Sequence, residues 1–342
     1  MPLKEAISKV IQYRDLDLDQ AEAAMDVIMK GEATPAQIGS YLTALRMKGE
    51  TVDEIAGSAR SMRAHVLRVD VPVEAGAMLV DTCGTGGDGK HTFNISTTAA
   101  FVVAGRGVKV AKHGNRAASS KCGSADVLLA LGGNLDLSPE QVAECIDEIG
   151  IGFLYAINHH PAMRYAIGPR REIGQRTVFN LLGPLTNPAG ATHQLIGIYD
   201  GELTATIAEV LGTLGTRAAF IVYGADGLDE LSTTGVNKIS RLDGGSVTTF
   251  ELDPTKLGIP KATLADLLGN TPQENAQITY NILSGKDRGP RRDIVLLNAA
   301  GALSLDQNDW EFGLAEASES IDSGASLQML ESWIEKTNSY LS

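Results

Sequence analysis

The residues able to do chemistry gather in short polar segments rich in glycine. The densest is DTCGTGGDGKHTFNIST, residues 81–97. It follows an apolar run and precedes an Ala/Val-rich stretch, so it reads as a loop between a strand and a helix. Such a loop exposes backbone N–H groups beside the positive end of a helix, which suits an anion. Two familiar phosphate loops fail on detail. Gly84, Gly86 and Gly89 satisfy GxGxxG, but a dinucleotide site also needs an acidic residue about 20 positions further on. No Asp or Glu stands between Asp88 and Asp126, and the next strand ends in Lys112-His113, the wrong charge. Gly84 to Lys90 satisfies GxxxxGK, yet His91 occupies the place where a Walker A loop carries Ser or Thr for Mg²⁺. Thr92 comes one position late.

A third reading uses more of the chain. Asn94-Ile95-Ser96-Thr97 places an amide and hydroxyls at a helix start, and 112–120, KHGNRAASS, forms another short loop after a strand, followed by Gly123-Ser124. Two such loops on neighbouring strands would supply two cations, several hydroxyls and many free amides. That pocket suits a ligand with more than one phosphate.

The elements that position these loops divide into two textures. Residues 1 to about 70 read as helices alone. Thr34-Pro35 and Gly49 bound one helix, Thr51 with Glu54 opens the next as a capping box, and Ile38, Leu42 and Leu45 give an apolar face. Val71-Pro72-Val73 breaks the pattern. From residue 78, short β-branched runs at 78–81, 108–111, 194–199, 219–223 and 247–252 alternate with helical windows such as 97–104, 125–131 and 203–214. That alternation predicts an α/β layer domain around a largely parallel sheet. Residues 161–183 read as helical and arginine-rich, leaving the sheet to complete the helical domain, so the division expected is 1–70 and 71–342.

Composition sets the outer bounds. Glycine makes up 37 of 342 residues, and the net charge is −13. Eight glycines fall in residues 81–126 against four in residues 1–75. So acidic a surface argues against nucleic acid or an anionic membrane as partner. Yet residues 81–126 and 158–176 each carry a net +3, so the remainder sums to −19. The acidity conceals a basic region sized for a small anion. Cys83, Cys122 and Cys145 form no CxxC pair, which fits reduced thiols in a cytoplasmic protein. The first residues, MPLKEAISKV, lack the cationic-then-apolar order of a secretion signal.

Taken jointly, the motifs resemble the anthranilate phosphoribosyltransferase family, enzymes of tryptophan biosynthesis with a nucleoside phosphorylase-like fold. The resemblance rests on GTGGD at 84–88, NIST at 94–97, KHGNRAASS at 112–120, GSAD at 123–126, HPAMR at 160–164, RREIGQRT at 170–177, NLLGPLTNP at 180–188 and GLDE at 227–230. It implies a small helical domain, a larger α/β domain, an active site in the cleft between them, and a homodimer formed through the helical domains. It implies further that Gly84, Gly87, Asp88, Thr92, Asn94, Ile95, Ser96 and Thr97 line a phosphoribosyl pyrophosphate site. Lys112, His113, Gly114, Asn115, Arg116, Ala117, Ala118, Ser119, Ser120 and Ser124 would complete that site. Ser96, Asp229 and Glu230 would hold Mg²⁺, two ions being expected, and Gly84, Asn115 and Arg170 would contact anthranilate. Cys83 and Lys90 receive no role.

The chemistry is consistent with those roles. Mg²⁺ takes carboxylate and hydroxyl oxygens with water, and an acidic pair after an apolar strand can reach a cleft. A guanidinium grips a carboxylate bidentately, leaving the ortho amine free to attack. That amine is neutral at pH 7, which makes His113 a positioning group before a proton acceptor. His159 and His160, next to Pro161, shape the entry to the helical segment. A pyrimidine nucleoside phosphorylase and a non-catalytic nucleic-acid-binding relative of the fold are the competing readings.

Overall fold

The computed structural model describes residues 3–341 except 75 and 118–120. The expected site residues Ala118, Ser119 and Ser120 therefore lie outside the described residues.

The chain opens with α1 (Leu3–Val10), α2 (Leu18–Met29), α3 (Pro35–Lys48) and α4 (Val52–Ala64). The caps follow the sequence: Thr34 and Thr51 each accept from the backbone N–H three residues on, within full capping boxes, and Gly49 closes α3. The alternating part then runs β1 (Leu79–Gly84), α5 (Ile95–Ala104), β2 (Lys109–Gly114), α6 (Ser124–Ala130), α7 (Pro139–Ile149) and β3 (Ile151–Tyr155). Next come α8 (Ala156–His159), α9 (Arg164–Ile173) and α10 (Phe179–Leu185). The middle is β4 (His193–Gly197), α11 (Thr204–Thr213), β5 (Ala218–Tyr223), β6 (Asn237–Asp243) and β7 (Ser246–Leu252). The last helices are α12 (Pro272–Leu283), α13 (Pro290–Leu303), α14 (Trp310–Asp322) and α15 (Ala325–Ser339).

Among the described residues, seven strands form one sheet in the order β3-β2-β1-β4-β5-β6-β7. The first five are parallel; β6 and β7 add an antiparallel edge. Two of these strands are absent from the sequence reading. β3 is five residues directly behind the left-handed cap Gly150, too short to separate from the helix before it. β6, NKISRLD, hides its inward Ile239 and Leu242 among charges. β1 and β2 also run further than expected, through Gly84 and Gly114, so residues assigned to loops are strand ends.

The sheet is covered on both faces. One face packs on α5, α6 and α12 to α15, with Phe101 against Trp333 and Phe220 stacked on Trp310. The other face packs on α11 and, through Cys83, Ile196 and Ile198, on a core shared with α1 to α4 and α10. The 161–183 segment is helical with an interruption: Gly174, at φ 61, ends α9 before α10 begins. α9 contacts α2 and α3, and α10 contacts α4, so this excursion closes over the helical bundle.

Candidate active site

The strand order reverses between β1 and β4, and the crevice beyond the carboxyl ends there is where open α/β sheets bind ligands. Gly84 ends β1 and lies opposite Gly197, which ends β4. Both are glycine because the loop after β5 crosses directly above them. A Cβ on Gly197 would overlap the Asp229 carbonyl, and one on Gly84 would overlap the Asp229 carboxylate. The close approach brings the acidic pair into the crevice. Asp229 Oδ2 accepts from Gly86 N at 2.6 Å, and Glu230 Oε1 accepts from Ser96 N at 3.1 Å. The glycine loop, the start of α5 and the acidic loop thus meet at one point.

The electrostatics there are unusual. Burial, and then the charge of Asp229, push the Glu230 carboxyl up to about 8. Asp229 is raised too, first by burial and then by Asp88. Against these acids stands Lys112, only 3% exposed. Its Nζ donates to Thr82 O and reaches Ser96 Oγ at 3.5 Å, and its charge opposes those of Asp81 and Glu230. A lysine so enclosed is not a solvated surface charge. Among the described residues no cluster of three or more His, Cys, Asp or Glu forms a metal cage. Two adjacent carboxylates beside the Ser96 hydroxyl, short of positive charge, instead fit a hard divalent cation that keeps most of its waters.

The second loop is built by side chains from its own flank. Asp126 in the first turn of α6 accepts from Gly123 N at 2.9 Å and Ala117 N at 3.1 Å, and Ser124 Oγ accepts from Asn115 N at 3.1 Å. Arg116 extends to Tyr155 OH at 2.9 Å. Beneath, Asp81 holds His113 N at 3.0 Å and Asn187 Nδ2 at 2.8 Å, locking the end of β2 to the segment after α10. Burial raises the Asp81 carboxyl.

The expected residues do not all turn to the crevice. Of 94–97, Ile95 and Thr97 are 1% exposed and point into the core, and the Asn94 amide is tied to Asn275 and the Cys122 carbonyl. Ser96 alone of the four sends its side chain toward Lys112; the others can offer the cleft backbone groups only. Thr92 pairs with Leu268 and fixes the far end of the glycine loop. Gly86 and Gly87, with φ of 69 and 77, let that loop turn its amides one way.

Beside the crevice lies a cavity of about 360 Å³, bordered by Met62, Ile157, Phe179, His113, His160, Asn115 and Arg170. Arg170 rests 5.0 Å from the centre of the Phe179 ring, and burial lowers its guanidinium. The cavity offers apolar walls and two arginines, Arg170 and Arg164, the second bonded to the Tyr165 hydroxyl at 2.6 Å, a fit for a flat aromatic acid. His159 is structural, bonded to Leu67 O at 3.1 Å. His160 belongs to the cavity.

Arg176 is a neighbour that sequence reasoning passed over. It donates to Gly87 O and lies 4.1 Å over the Tyr199 ring, fastening the glycine loop to the link between α9 and α10. Its only signal was its place in RREIGQRT.

Known proteins resemble this chain over nearly its whole length. Residues 4–66 match the model of the glycosyl transferase family, helical bundle domain, and 76–327 that of the glycosyl transferase family, a/b domain. The anthranilate phosphoribosyltransferase of Moorella thermoacetica is 57% identical over 338 residues, 97% of this chain and 98% of that protein. That of Methanocorpusculum labreanum is 55% identical over 97% of each. The crystal structure of the Thermus thermophilus enzyme superposes with a TM-score of 0.92 at 42% identity, covering 97% of this chain and 99% of that one. The Saccharomyces cerevisiae enzyme in complex with phosphoribosyl pyrophosphate and Mg matches at 0.90 and 32% identity, over 98% of each chain. With its crevice, acidic loop and full-length likeness to these enzymes, the chain belongs to the anthranilate phosphoribosyltransferase family.

Proposed function

We propose that this chain transfers the 5-phosphoribosyl group of phosphoribosyl pyrophosphate to the anthranilate amine, releasing pyrophosphate, in tryptophan biosynthesis. The observation that carries the reading is the meeting of Asp229 and Glu230 with the amides of Gly86 and Ser96 beside an apolar cavity bordered by Arg170. The glycine loop (Gly84, Gly87, Asp88, Thr92), the backbone of 94–97, and Lys112 to Ala117 with Ser124 bind the donor. Ser96, Asp229 and Glu230 would hold Mg²⁺, as two ions, which would supply charge neutralisation for a departing pyrophosphate. Gly84, Asn115 and Arg170 receive anthranilate, Arg170 gripping its carboxylate.

The reaction is a displacement at ribose C1. The C1–N bond forms as the C1–O bond to pyrophosphate breaks, and the nitrogen then releases a proton. Positive charge develops on the ribose ring as in glycoside cleavage. The chain contributes orientation and charge rather than a covalent intermediate. A nucleoside phosphorylase would need no grip for an aromatic acid. Loss of anthranilate fluorescence with phosphoribosyl pyrophosphate and Mg²⁺, with pyrimidines as competing acceptors, tests the reading. No signal from folded protein, or preference for a pyrimidine, would overturn it.

Three coarser features belong to the same proposal. Residues 1–70 with the helices of 161–183 act as one domain and 71–342 as the other, supported by the packing of α9 and α10 on the bundle. Two copies associate through the helical domains, supported by the exposed Ile11, Tyr13 and Met47 at the ends of α1 and α3. Sedimentation should give twice the 36.1 kDa chain mass, and Tyr13→Glu with Met47→Glu should halve it. The enzyme works in the cytoplasm, where its three thiols stay reduced; no helix of the described residues is long and apolar enough to cross a membrane.

A further inference from the structure

Two histidines of the cavity meet ring to ring. His160 Nε2 lies 3.1 Å from His113 Nε2, with the rings centred 5.0 Å apart and tilted by 37°. Facing nitrogens at this distance need one hydrogen between them, and its owner is fixed from outside the pair. His113 Nδ1 lies 3.1 Å from Gly183 O. A carbonyl oxygen only accepts, so Nδ1 carries the hydrogen and, in a neutral ring, Nε2 keeps its lone pair. His160 must then donate from Nε2, which leaves its own Nδ1 as an acceptor. Burial keeps both rings neutral: His113 is held well below the usual histidine range, and His160 is lowered to about 4.

That second nitrogen of His160 has no hydrogen-bonding partner among the described residues, and His160 borders the cavity with Arg170 and Asn115. Two other acceptors of the cavity are already engaged, while the Thr186 hydroxyl donates to Leu182 O. The Asn115 side-chain oxygen accepts from Arg116 N at 2.8 Å, and Gly183 O accepts from His113. The cavity therefore combines guanidinium groups for a carboxylate with an unengaged ring nitrogen that can accept from an N–H.

We propose that His160 Nδ1 accepts a hydrogen bond from the ortho amine of the aromatic acid, making the cavity select an acid flanked by an N–H donor. Holding one N–H there leaves the nitrogen lone pair free to face the ribose carbon. His113 acts as the positioning residue: anchored on Gly183, it dictates which nitrogen of His160 is free. The inference rests on the reading of the cavity as the anthranilate site and adds what selects the amine.

Two amides separate the two ring nitrogens. In His160→Gln the amide nitrogen falls near Nε2 and can still bond His113, but the acceptor at Nδ1 is gone. In His160→Asn the side-chain oxygen falls near Nδ1 and the bond to His113 is lost. The measured quantity is the KM for anthranilate relative to the competitive inhibition constant of benzoate, which lacks the amine. In His160→Gln that ratio should rise about five- to tenfold, the worth of one net hydrogen bond, with benzoate almost unaffected. His160→Asn should keep the ratio within about threefold of the parent protein. An unchanged ratio in the Gln variant, or loss of the ratio in Asn but not Gln, overturns the inference. Failure of the parent protein to use anthranilate at all would instead overturn the function, and it is seen before any variant is made.

Discussion

Asp229 and Glu230 are neighbours of like charge, drawn out of water over the ends of two strands, and the carboxyl of Glu230 is pushed up to about 8 as a result. Replacing it with glutamine removes the proposed metal ligand while keeping a neutral side chain of the same shape in the buried position. Glu230→Gln should cut turnover by about a hundredfold or more while the melting temperature of metal-free protein holds or rises. Activity surviving at limiting Mg²⁺ would remove Glu230 from the metal site. Arg170 is the residue proposed for the other substrate. A charge-assisted bidentate contact is worth ~1.5–3 kcal/mol, so Arg170→Ala should raise the KM for anthranilate by about ten- to a hundredfold and leave that for phosphoribosyl pyrophosphate nearly unchanged. His160 makes a pH signature. Burial and His159 hold it at about 4, while an unfolded histidine titrates near ~6.5. The unfolded chain takes up the proton that the native ring refuses. The ring's contribution is thus complete above pH ~6.5 and is lost as pH falls toward 4, at up to ~1.4 kcal/mol per unit. Urea midpoints of the parent and His160→Asn should converge along that slope on acidification; parallel curves would mean the native ring protonates freely.

Elements decide whether these side chains meet. The acidic loop reaches the crevice only because β1 and β4 both end in glycine beneath it. Gly197→Ala should displace Asp229, cost about 1–3 kcal/mol in stability and sharply reduce turnover, although the residue carries no functional group. Denaturation and steady-state assays on the same sample check both, and full activity would show that the loop can rise without harm. Much of this was legible along the chain. The caps at Thr34, Gly49 and Thr51 are local chemistry, and they stand where the sequence puts them. The glycine loop at 84–89 does follow a strand and precede a helix. β3 and β6 were not legible. One is an apolar run shorter than a clear period, and the other alternates charge with Ile and Leu in a way that surface loops also do. Lys112 is a further case: beside His113 and Arg116 it reads as part of a basic surface run, yet burial against Thr82 and Ser96 decides its character.

At the scale of the whole molecule, the helical bundle is pinned to the sheet layer by Arg63 on α4. Its Nε donates to Leu185 O at 2.7 Å, and its guanidinium also reaches Leu214 O at 3.1 Å. Those carbonyls close α10 and α11, the negative ends of two helices, and burial lowers the guanidinium to about 10. Arg63→Ala would orphan both acceptors, so a loss of ~2–3 kcal/mol in urea unfolding is expected. A cost under ~0.5 kcal/mol would mean that water replaces the arginine. The sequence by itself determined the inventory: which segments could turn around a phosphate, which residues carried cation, hydroxyl and carboxylate, and that a basic patch lay within an acidic chain. Those are properties of composition and near-neighbour spacing. Only the tertiary structure decided the meetings. Gly86 and Asp229, 143 residues apart, bond because β4 pairs with β1, and no local pattern records that pairing. Strand order follows from how helices cover the two faces of the sheet, a balance of contacts summed over the whole chain. The proton between His113 and His160 is likewise placed by a carbonyl 70 residues distant, at Gly183.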